Sequence, residues 1–250
     1  MIKGLENKSI IITGAGKGIG STVAQHLASL GSKVCIADID LTAAQETVEE
    51  IRKTNGAAMA VFCDITSQED IQKMVNKVLN LYGGIDVLIN NAGLFPIKTF
   101  DAMTLEDWSK VININLTGTF CVTQPVYQQM KKQGYGKIVN VASAAGRVGG
   151  IGFVHYSAAK SGVIGFTRAL AREAASSGIQ VNAIAPGLIE TNTAKSVFPS
   201  YALKEFIRNV PMGRLGREED ISGILSFLCS DESSYITGQV FAIDGGYTMI

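Results

Sequence analysis

The chain has 250 residues, a length that suits one domain built around a single large sheet. Lysine plus arginine and aspartate plus glutamate each number 22, so the formal net charge is zero and nothing favours nucleic acid as a partner. No apolar run approaches the roughly 18 residues of a membrane helix, and the first residues lack the apolar core of a signal peptide. The four cysteines are far apart in apolar surroundings, which indicates buried free thiols and no metal site (Cys35, Cys63, Cys121 and Cys229). We therefore expect a cytoplasmic protein that binds neither membranes nor nucleic acid.

Short apolar runs alternate with longer helical segments along almost the whole chain. Seven runs are predicted as strands, at 9–13, 33–38, 58–64, 85–90, 137–143, 179–185 and 240–243. Capping boxes mark two helix starts (Thr42 with Gln45, Thr66 with Glu69), and glycines mark helix ends before strands (Gly31, Gly56, Gly83 and Gly178). This alternation predicts an α/β fold: a single-domain, doubly wound Rossmann-type fold whose parallel seven-stranded sheet is flanked by helices.

A glycine-rich turn joins the first predicted strand to the first helix, with the sequence Thr-Gly-Ala-Gly-Lys-Gly-Ile-Gly at 13–20. Glycines allow the backbone to approach a pyrophosphate closely, and the helix N-terminus offers free N–H groups to it. The spacing is T-G-x-x-x-G-x-G, and its position between strand and helix favours phosphate binding over an ordinary turn. The residues expected at the cofactor are Gly14, Lys17, Gly18, Ile19 and Gly20.

Asp38 ends the second predicted strand, 18 residues after Gly20, where a carboxylate can accept hydrogen bonds from the adenosine ribose. A carboxylate there also repels the 2′-phosphate of NADP, at roughly 4 kcal/mol per charge pair for a separation of about 4 Å and an effective dielectric of about 20. Lys17 is the counter-argument, because its ammonium could reach a 2′-phosphate. A helix N-cap is the alternative role of Asp38. The balance predicts NAD(H) as the cofactor, with NADP(H) less favoured.

Tyr156 and Lys160 lie in Tyr-Ser-Ala-Ala-Lys at the start of a predicted helix, and their i, i+4 spacing places both side chains on one face. Ser143, thirteen residues before the tyrosine, ends a predicted strand, where α/β folds bind their ligands. Asn115 is a polar residue within an apolar helical run and needs a hydrogen-bond partner. These four residues are the candidate catalytic set.

Taken together, the motifs resemble those of the short-chain dehydrogenase/reductase family in order and spacing, over nearly the whole chain. They are the turn at 13–20, Asn-Asn-Ala-Gly at 90–93, Asn115, Ser143, Tyr156-x-x-x-Lys160 and Pro186-Gly187. The resemblance implies that Tyr156 is the general acid/base, Ser143 holds the substrate oxygen, Lys160 binds the nicotinamide ribose, and Asn115 holds a water linking Lys160 to solvent. It also implies cofactor contacts from Asp64 and Ile65 (adenine), Asn91, Ala92 and Gly93 (ribose), and Pro186, Gly187, Ile189 and Thr191 (nicotinamide amide).

The electrostatics of the implied acid/base can be estimated. A free tyrosine has a pKa of about 10, and lowering it by about three units needs roughly 4 kcal/mol of differential stabilisation. One ammonium at about 4 Å supplies energy of that order, so Lys160 is expected to lower the pKa of Tyr156. The positive nicotinamide of NAD would add to this effect during oxidation.

The segment 190–209 is rich in apolar residues and, by the resemblance, is expected to be a lid over the substrate. The predicted reaction is hydride transfer between NAD(H) and a secondary alcohol or ketone. The alternatives are a 3-oxoacyl-carrier-protein reductase, whose family members usually prefer NADPH, and a non-catalytic dinucleotide-binding regulator. His155 either borders the substrate or packs in the core. By the resemblance, we also expect a homotetramer whose contacts involve the helices around 107–131 and 157–175 and the region 236–239.

Overall fold

The computed structural model describes residues 3–249. The strands are β1 (Ser9–Thr13), β2 (Lys33–Asp38), β3 (Ala57–Phe62), β4 (Val87–Asn90), β5 (Gly136–Val141), β6 (Ile179–Pro186) and β7 (Val240–Ile243). They form one parallel sheet in the order β3-β2-β1-β4-β5-β6-β7. The predicted fold class is confirmed, and the strand order reverses between β1 and β4, the point at which such sheets bind their ligands.

Helices cover both faces of the sheet. They are α1 (Gly18–Ser29), α2 (Leu41–Lys53), α3 (Gln68–Tyr82), α4 (Leu105–Ile112), α5 (Gly118–Gln133), α6 (Ala145–Val148), α7 (Val154–Ala174), α8 (Asn192–Val197), α9 (Ser200–Arg208) and α10 (Glu219–Cys229). Successive side chains of a strand point to opposite faces. Accordingly, Ile10 and Ile12 belong to one buried apolar cluster and Ile11 to the other. Burial on both faces explains why the strands read as continuous apolar runs.

Three predicted strands extend past the observed ladder. Asp64 lies beyond β3, because its carboxylate accepts hydrogen bonds from the N–H and hydroxyl of Thr66 and turns the chain. Ser143 lies two residues beyond β5, in the turn that precedes α6. The predicted strand at 85–90 begins only at Val87, since the Gln133 side chain hydrogen-bonds both the N–H and the carbonyl of Ile85. All three differences concern strand ends.

Both predicted capping boxes are wrong. The N-cap of α2 is Asp40, which accepts from the Ala43 N–H, and that of α3 is Ser67, which accepts from the Asp70 N–H. Asp40 comes two residues before the predicted cap Thr42, and Ser67 comes one residue after the predicted cap Thr66, whose own hydroxyl is bonded to Asp64. A capping box does occur at α4, between Thr104 and Asp107.

Three of the four predicted helix-ending glycines have the left-handed backbone that such a position requires: Gly31 (φ 87°), Gly83 (82°) and Gly178 (71°). Gly56 does not, because Asn55 adopts that conformation instead, with φ 59°. Asparagine tolerates the left-handed region better than other residues with a Cβ atom.

The cysteines are free, and Cys35, Cys63 and Cys229 are buried as expected, whereas Cys121 is half-buried. Across residues 3–249, none of the helices combines the length and the apolar composition that a membrane span needs. Within the same residues, no group of three or more His, Cys, Asp or Glu side chains is arranged to hold a metal ion.

Candidate active site

The glycine-rich turn after β1 is packed so closely that its glycines are required. Gly14 has φ 62°, and a Cβ atom on it would lie 2.7 Å from the Ala92 Cα. A Cβ atom on Gly20 would lie 2.4 Å from the Gly14 carbonyl oxygen. Side chains at these positions would collide with backbone, so the turn can keep this path only with glycine.

A hydrogen-bonded clamp joins this turn to the segment after β4. The Asn91 amide donates to the carbonyl oxygens of Thr13 (3.0 Å) and Gly14 (2.8 Å). In return, the Thr13 hydroxyl accepts from the N–H groups of Asn91 and Ala92, both at 3.1 Å. Asn91 and Ala92 are still expected at the ribose. The hydrogen bonds of Thr13 were not predicted, although Thr13 is the first residue of the T-G motif.

The start of α1 suits a pyrophosphate. Gly18 begins the helix with φ 61°, and Lys17, the N-cap, makes no side-chain capping hydrogen bond within the described residues. First-turn N–H groups and the positive end of the helix dipole are therefore available to an anion. Ile19 turns toward the apolar cluster beneath, and Thr191 approaches from the opposite side, its methyl 3.8 Å from a Cβ placed on Gly18.

Asp38 and Asp40 control the charge at the end of β2. One oxygen of Asp38 accepts from the Gly16 N–H at 2.8 Å and the other accepts from the Asp40 N–H at 2.9 Å. Asp38 therefore fixes the glycine-rich turn and is not the N-cap of α2. Lys17 forms an ion pair with Asp40 at 2.8 Å, a contact that sequence reasoning missed. This pairing raises the pKa of Lys17 and lowers that of Asp40.

Asp64 and Ile65 follow β3, next to this end of the sheet. Asp64 is half-buried and holds the turn described above, while Ile65 is buried against α5. A Cβ atom on Gly118 would come within 2.7 Å of the Ile65 side chain. An apolar side chain beside a polar turn is compatible with a contact to adenine, and that contact remains a prediction.

Lys160 and Asn115 both lie close to Gly93, in the part of the site that contains Tyr156. Asn115 lies in a π-helical turn (Asn113–Thr117), fully buried, and its amide group accepts from the Leu94 N–H (3.3 Å) and donates to the Leu94 carbonyl (2.9 Å). The Lys160 ammonium donates to the Val141 carbonyl at 2.7 Å. A Cβ atom on Gly93 would lie 2.5 Å from the Asn115 amide oxygen and 3.5 Å from the Lys160 Nζ. Asn115 thus holds the segment after β4 against Lys160.

The Ser143 side chain lies near enough to Tyr156 to oppose the rise in the pKa of the phenol, so these two members of the candidate set lie in one site. Two phenylalanine rings flank the tyrosine, Phe95 at 6.1 Å and Phe153 at 5.9 Å between ring centroids. Phe153 in turn contacts Phe198 at the end of α8, at 5.8 Å. The Tyr156 ring therefore packs against two aromatic rings, and a third ring, from the end of α8, packs against one of these.

Burial changes the pKa of both ionisable groups in this part of the site. It raises the pKa of Tyr156 to about 12, against an opposing effect from the Ser143 side chain. It lowers the pKa of Lys160 to about 8. Lys160 was expected to lower the pKa of Tyr156, but its ammonium is 5.7 Å from the ring centroid and bonded to the Val141 carbonyl. The chain's own groups thus give Tyr156 a raised pKa, and bound positive charge is needed to lower it.

The segment after β6 completes the edge of the site. The Pro186 carbonyl accepts from the Ala144 N–H at 2.9 Å, next to Ser143. A Cβ atom on Gly187 would lie 2.9 Å from the Asp244 Cα, so only glycine fits. Ile189 is buried and pairs through its backbone with Gly216. Thr191 caps α8 by accepting from the Ala194 N–H. The expected lid at 190–209 contains α8 and α9, and Phe198 brings it onto Phe153.

Comparison with known proteins gives consistent matches over the whole chain. A family described as Enoyl-(Acyl carrier protein) reductase matches residues 14–248. The chain is 42% identical to a 3-oxoacyl-[acyl-carrier-protein] reductase of Aquifex aeolicus, over 97% of this chain and 98% of that protein. A short-chain type dehydrogenase/reductase from Mycobacterium marinum superposes with a TM-score of 0.95 at 34% identity, covering 99% of this chain and 98% of the other. The chain belongs to the short-chain dehydrogenase/reductase family.

A second curated relative has a different substrate. The chain is 38% identical to the (2S)-[(R)-hydroxy(phenyl)methyl]succinyl-CoA dehydrogenase subunit BbsD of Thauera aromatica, over 98% of each chain. Family membership makes this protein an oxidoreductase that acts on CH–OH or keto groups with a nicotinamide dinucleotide. The alternative of a non-catalytic regulator is therefore wrong.

Proposed function

We propose that the enzyme transfers a hydride between NAD(H) and a neutral secondary alcohol or ketone, with Tyr156 as the general acid/base. The observation that carries the proposal is that Tyr156, Ser143 and Lys160 lie together at the carboxyl edge of the sheet: Ser143 acts on the phenol, and the Lys160 ammonium is 5.7 Å from the tyrosine ring. This edge also carries the glycine-rich turn and the free start of α1. A phenolic proton donor and a nucleotide cradle on the same edge match what a dehydrogenase needs.

The chemistry divides between the cofactor and the chain. The glycine-rich turn and the start of α1 would hold NAD, which would supply the acceptor for the hydride of the carbinol carbon. Ser143 holds the substrate oxygen, and Tyr156 takes the hydroxyl proton during oxidation or returns it to the carbonyl oxygen during reduction. Lys160 is the one ammonium beside the tyrosine among the described contacts, and its pKa of about 8 leaves it largely charged at neutral pH. The Asn115 carbonyl oxygen accepts from Thr119 at 3.0 Å and keeps a second lone pair for the water implied by the resemblance.

The preference for NAD over NADP rests on charge. Asp38 is fixed by two backbone N–H groups at the end of β2, where the adenosine ribose is expected. Its carboxylate still has acceptor capacity for ribose hydroxyls and repels a 2′-phosphate. Lys17, the cation that would favour NADP, is already paired with Asp40. Both acids therefore favour the cofactor that lacks the phosphate.

The substrate is proposed to carry an apolar or aryl substituent. Phe95 and Phe153 flank Tyr156, and Phe198 packs on Phe153, so the groups next to a bound carbonyl carbon are expected to meet aromatic surface. Burying such a substituent contributes about 25 cal/mol per Å². The Thauera aromatica relative, whose printed name contains a hydroxy(phenyl)methyl group, supports the same class.

A 3-oxoacyl-carrier-protein reductase is the second candidate, because the Aquifex aeolicus relative has that activity and matches 97% of this chain. The two candidates differ in substrate and in cofactor. An acyl carrier protein presents a thioester on a long flexible arm, whereas the first candidate requires only a small neutral ketone.

A substrate and cofactor panel separates the candidates. The purified enzyme is assayed at the NADH absorbance band with acetophenone, cyclohexanone, 4-acetylbenzoate and acetoacetyl thioesters, each with NADH and with NADPH. We expect the neutral ketones to be reduced with NADH, and acetophenone to be preferred over its charged analogue 4-acetylbenzoate. Turnover confined to the acetoacetyl thioester with NADPH would establish the second candidate instead.

We also propose a homotetramer that works in the cytoplasm. Large apolar side chains are exposed on the helices that the resemblance assigns to subunit contacts, with Leu105 on α4 exposed to 79% and Phe120 on α5 to 47%. Four free thiols, three of them buried, suit a reducing compartment. Light scattering at micromolar concentration tests the assembly, and a monomeric mass would refute it.

A further inference from the structure

The residue before the catalytic tyrosine makes an unusual contact. His155 is fully buried, and its Nδ1 accepts from the backbone N–H of Tyr156 at 2.9 Å. Tyr156 is the third residue of α7, one of the first-turn positions whose N–H has no partner within the helix. Phe153, the N-cap, makes no side-chain capping hydrogen bond within residues 3–249. The His155 imidazole, and not the N-cap residue Phe153, therefore accepts the hydrogen bond from this first-turn N–H group.

This contact fixes the protonation state of His155. A nitrogen that accepts a hydrogen bond carries no proton, so the proton of the neutral ring must be on Nε2. Nε2 is buried and has no hydrogen-bond partner among residues 3–249. A buried N–H donor without an acceptor is destabilising, so packing alone would favour an apolar residue at this position.

The surroundings oppose protonation of the ring. Burial lowers the pKa of His155, and the carboxylate of Asp107 on α4 acts in the opposite direction. That carboxylate is held by Thr104 and by Lys98 at 3.4 Å, so much of its charge is already compensated. The ionisable group next to it in α7 is Tyr156, which is uncharged near neutral pH because burial raises its pKa to about 12. The imidazole is thus neutral at pH 7.

We propose that His155 is a positioning residue: its neutral Nε2–H tautomer holds the first turn of α7 and, with it, the Tyr156 hydroxyl. Protonation places a hydrogen on Nδ1, which then cannot accept from the Tyr156 N–H, and the tyrosine is released. The proposal rests on the proposed role of Tyr156 as acid/base. In ketone reduction it gives the site an acid limit that Tyr156 itself does not provide, since the tyrosine must be protonated to donate and stays protonated at low pH.

Ketone reduction is the direction that isolates this effect, because Tyr156 must be protonated to donate and acid keeps it so. We expect the kcat of the wild-type enzyme to fall reversibly as the pH drops below the ordinary histidine pKa of about 6.5, because burial lowers the pKa of His155. Nitrogen chemical shifts of the two imidazoles, measured without cofactor at pH 7, should identify His155 as the Nε2–H tautomer.

Two substitutions separate the hydrogen bond from packing. The change His155→Asn keeps an acceptor oxygen near the Tyr156 N–H but introduces a side chain that cannot titrate. His155→Leu removes both the acceptor and the orphan donor. Because one hydrogen bond is lost, we expect kcat to fall about tenfold in His155→Leu with NADH affinity unchanged. His155→Asn should keep kcat within about threefold of wild type and lose the acid limb.

The control is His26→Leu on α1, which alters the other histidine and should leave kcat and the acid limb unchanged. Equal losses in His155→Leu and His155→Asn, or an acid limb that persists in His155→Asn, would overturn the proposal. If His155→Leu does not fold, the pH profile of His155→Asn still decides it. Near-normal kcat in His155→Leu refutes only the positioning role, whereas near-normal turnover in Tyr156→Phe refutes the proposed function.

Discussion

The two ends of the site use ionisable groups in opposite ways. At the adenosine end, Asp38, Asp40 and Lys17 lie near solvent, and their charges are held by backbone N–H groups or by each other. At the chemical end, two phenylalanine rings flank Tyr156 and Lys160 is buried, and burial moves their pKa values to about 12 and about 8. In the proposed function, the charged groups of the first end select the cofactor by its charge.

At the second end, burial disfavours the charged forms of both Tyr156 and Lys160. Desolvation disfavours the tyrosinate and the ammonium alike, so the chain's own groups hold the acid/base in its uncharged form. Positive charge from the oxidised nicotinamide is what would lower the tyrosine pKa during oxidation. Cofactor selection and acid/base catalysis should therefore respond to different substitutions, with the largest effects expected at Tyr156 and the smallest at Asp40.

Tyr156→Phe should give the largest effect. The change removes one oxygen and keeps the ring, so the contacts with Phe95 and Phe153 are retained. General acid–base catalysis contributes about 10²–10⁴-fold, and we expect a loss of kcat of at least that order with NADH affinity changed by only a few-fold. Steady-state rates and fluorescence titration of NADH measure the two quantities.

Lys160→Met should abolish activity yet stabilise the protein near neutral pH. The pKa of Lys160 falls from 10.5 to about 8 on folding, so the unfolded chain binds more protons between these values and wild-type stability rises with pH across that window. Removing the buried ammonium should raise the unfolding free energy at pH 7 by about 2 kcal/mol, after allowance for the lost bond to the Val141 carbonyl.

Urea unfolding of both proteins at pH 7 and at pH 10.5 measures this difference. The advantage of Lys160→Met should shrink as the pH rises, because the wild-type lysine becomes neutral. A methionine variant that is less stable than wild type at pH 7 would show that burial of the lysine does not destabilise the fold.

Asp38→Asn should weaken the cofactor preference without disturbing the turn. The amide oxygen can still accept from the Gly16 N–H, while the negative charge and the acceptor for the Asp40 N–H are lost. We expect the preference for NAD over NADP, expressed as a ratio of kcat/KM values, to narrow about tenfold. Asp38→Ala should narrow it as well but also weaken both cofactors, because the turn loses its acceptor. An unchanged ratio in both variants would exclude Asp38 as the selector.

Asp40→Asn should give the smallest effect. Asparagine remains a good N-cap for α2, so the acceptor for the Ala43 N–H is kept. The exposed ion pair with Lys17 is lost, and such pairs contribute about 0.2–1 kcal/mol. Freed Lys17 should improve kcat/KM for NADP by about two- to fivefold, with NAD unaffected. A gain as large as that in Asp38→Asn would move the main selector to Asp40.

The sequence predicts the fold well and brings the candidate site residues to one edge of the sheet, because both depend on spacing along the chain, while the roles of those residues stay predictions. The parallel strands, the turn at 13–20 and the pair Tyr156 and Lys160 all follow from local periodicity and motif order. Spacing along the chain does not predict hydrogen-bond partners in the same way, because these depend on backbone directions that tertiary packing sets. Two examples are Asp40, which caps α2 and pairs with Lys17, and His155, which accepts from the Tyr156 N–H.

The same limit explains the error about electrostatics. Spacing alone places Lys160 on the same face as Tyr156, and from there a lowered tyrosine pKa is a reasonable expectation. The structure turns the ammonium toward the Val141 carbonyl and encloses the tyrosine among phenylalanine rings. Burial is a property of the whole fold, and its effect on the pKa of Tyr156 outweighs the opposing effect of Ser143.

The most direct test of the account is the pH dependence of alcohol oxidation at saturating NAD, measured for wild type and for Tyr156→Phe. We predict that wild-type kcat rises with a single apparent pKa below the value of about 12 set by burial, because bound positive charge favours the tyrosinate. The residual activity of Tyr156→Phe should lack that ionisation. If the variant keeps the same apparent pKa, another group is the base and the role assigned to Tyr156 is wrong.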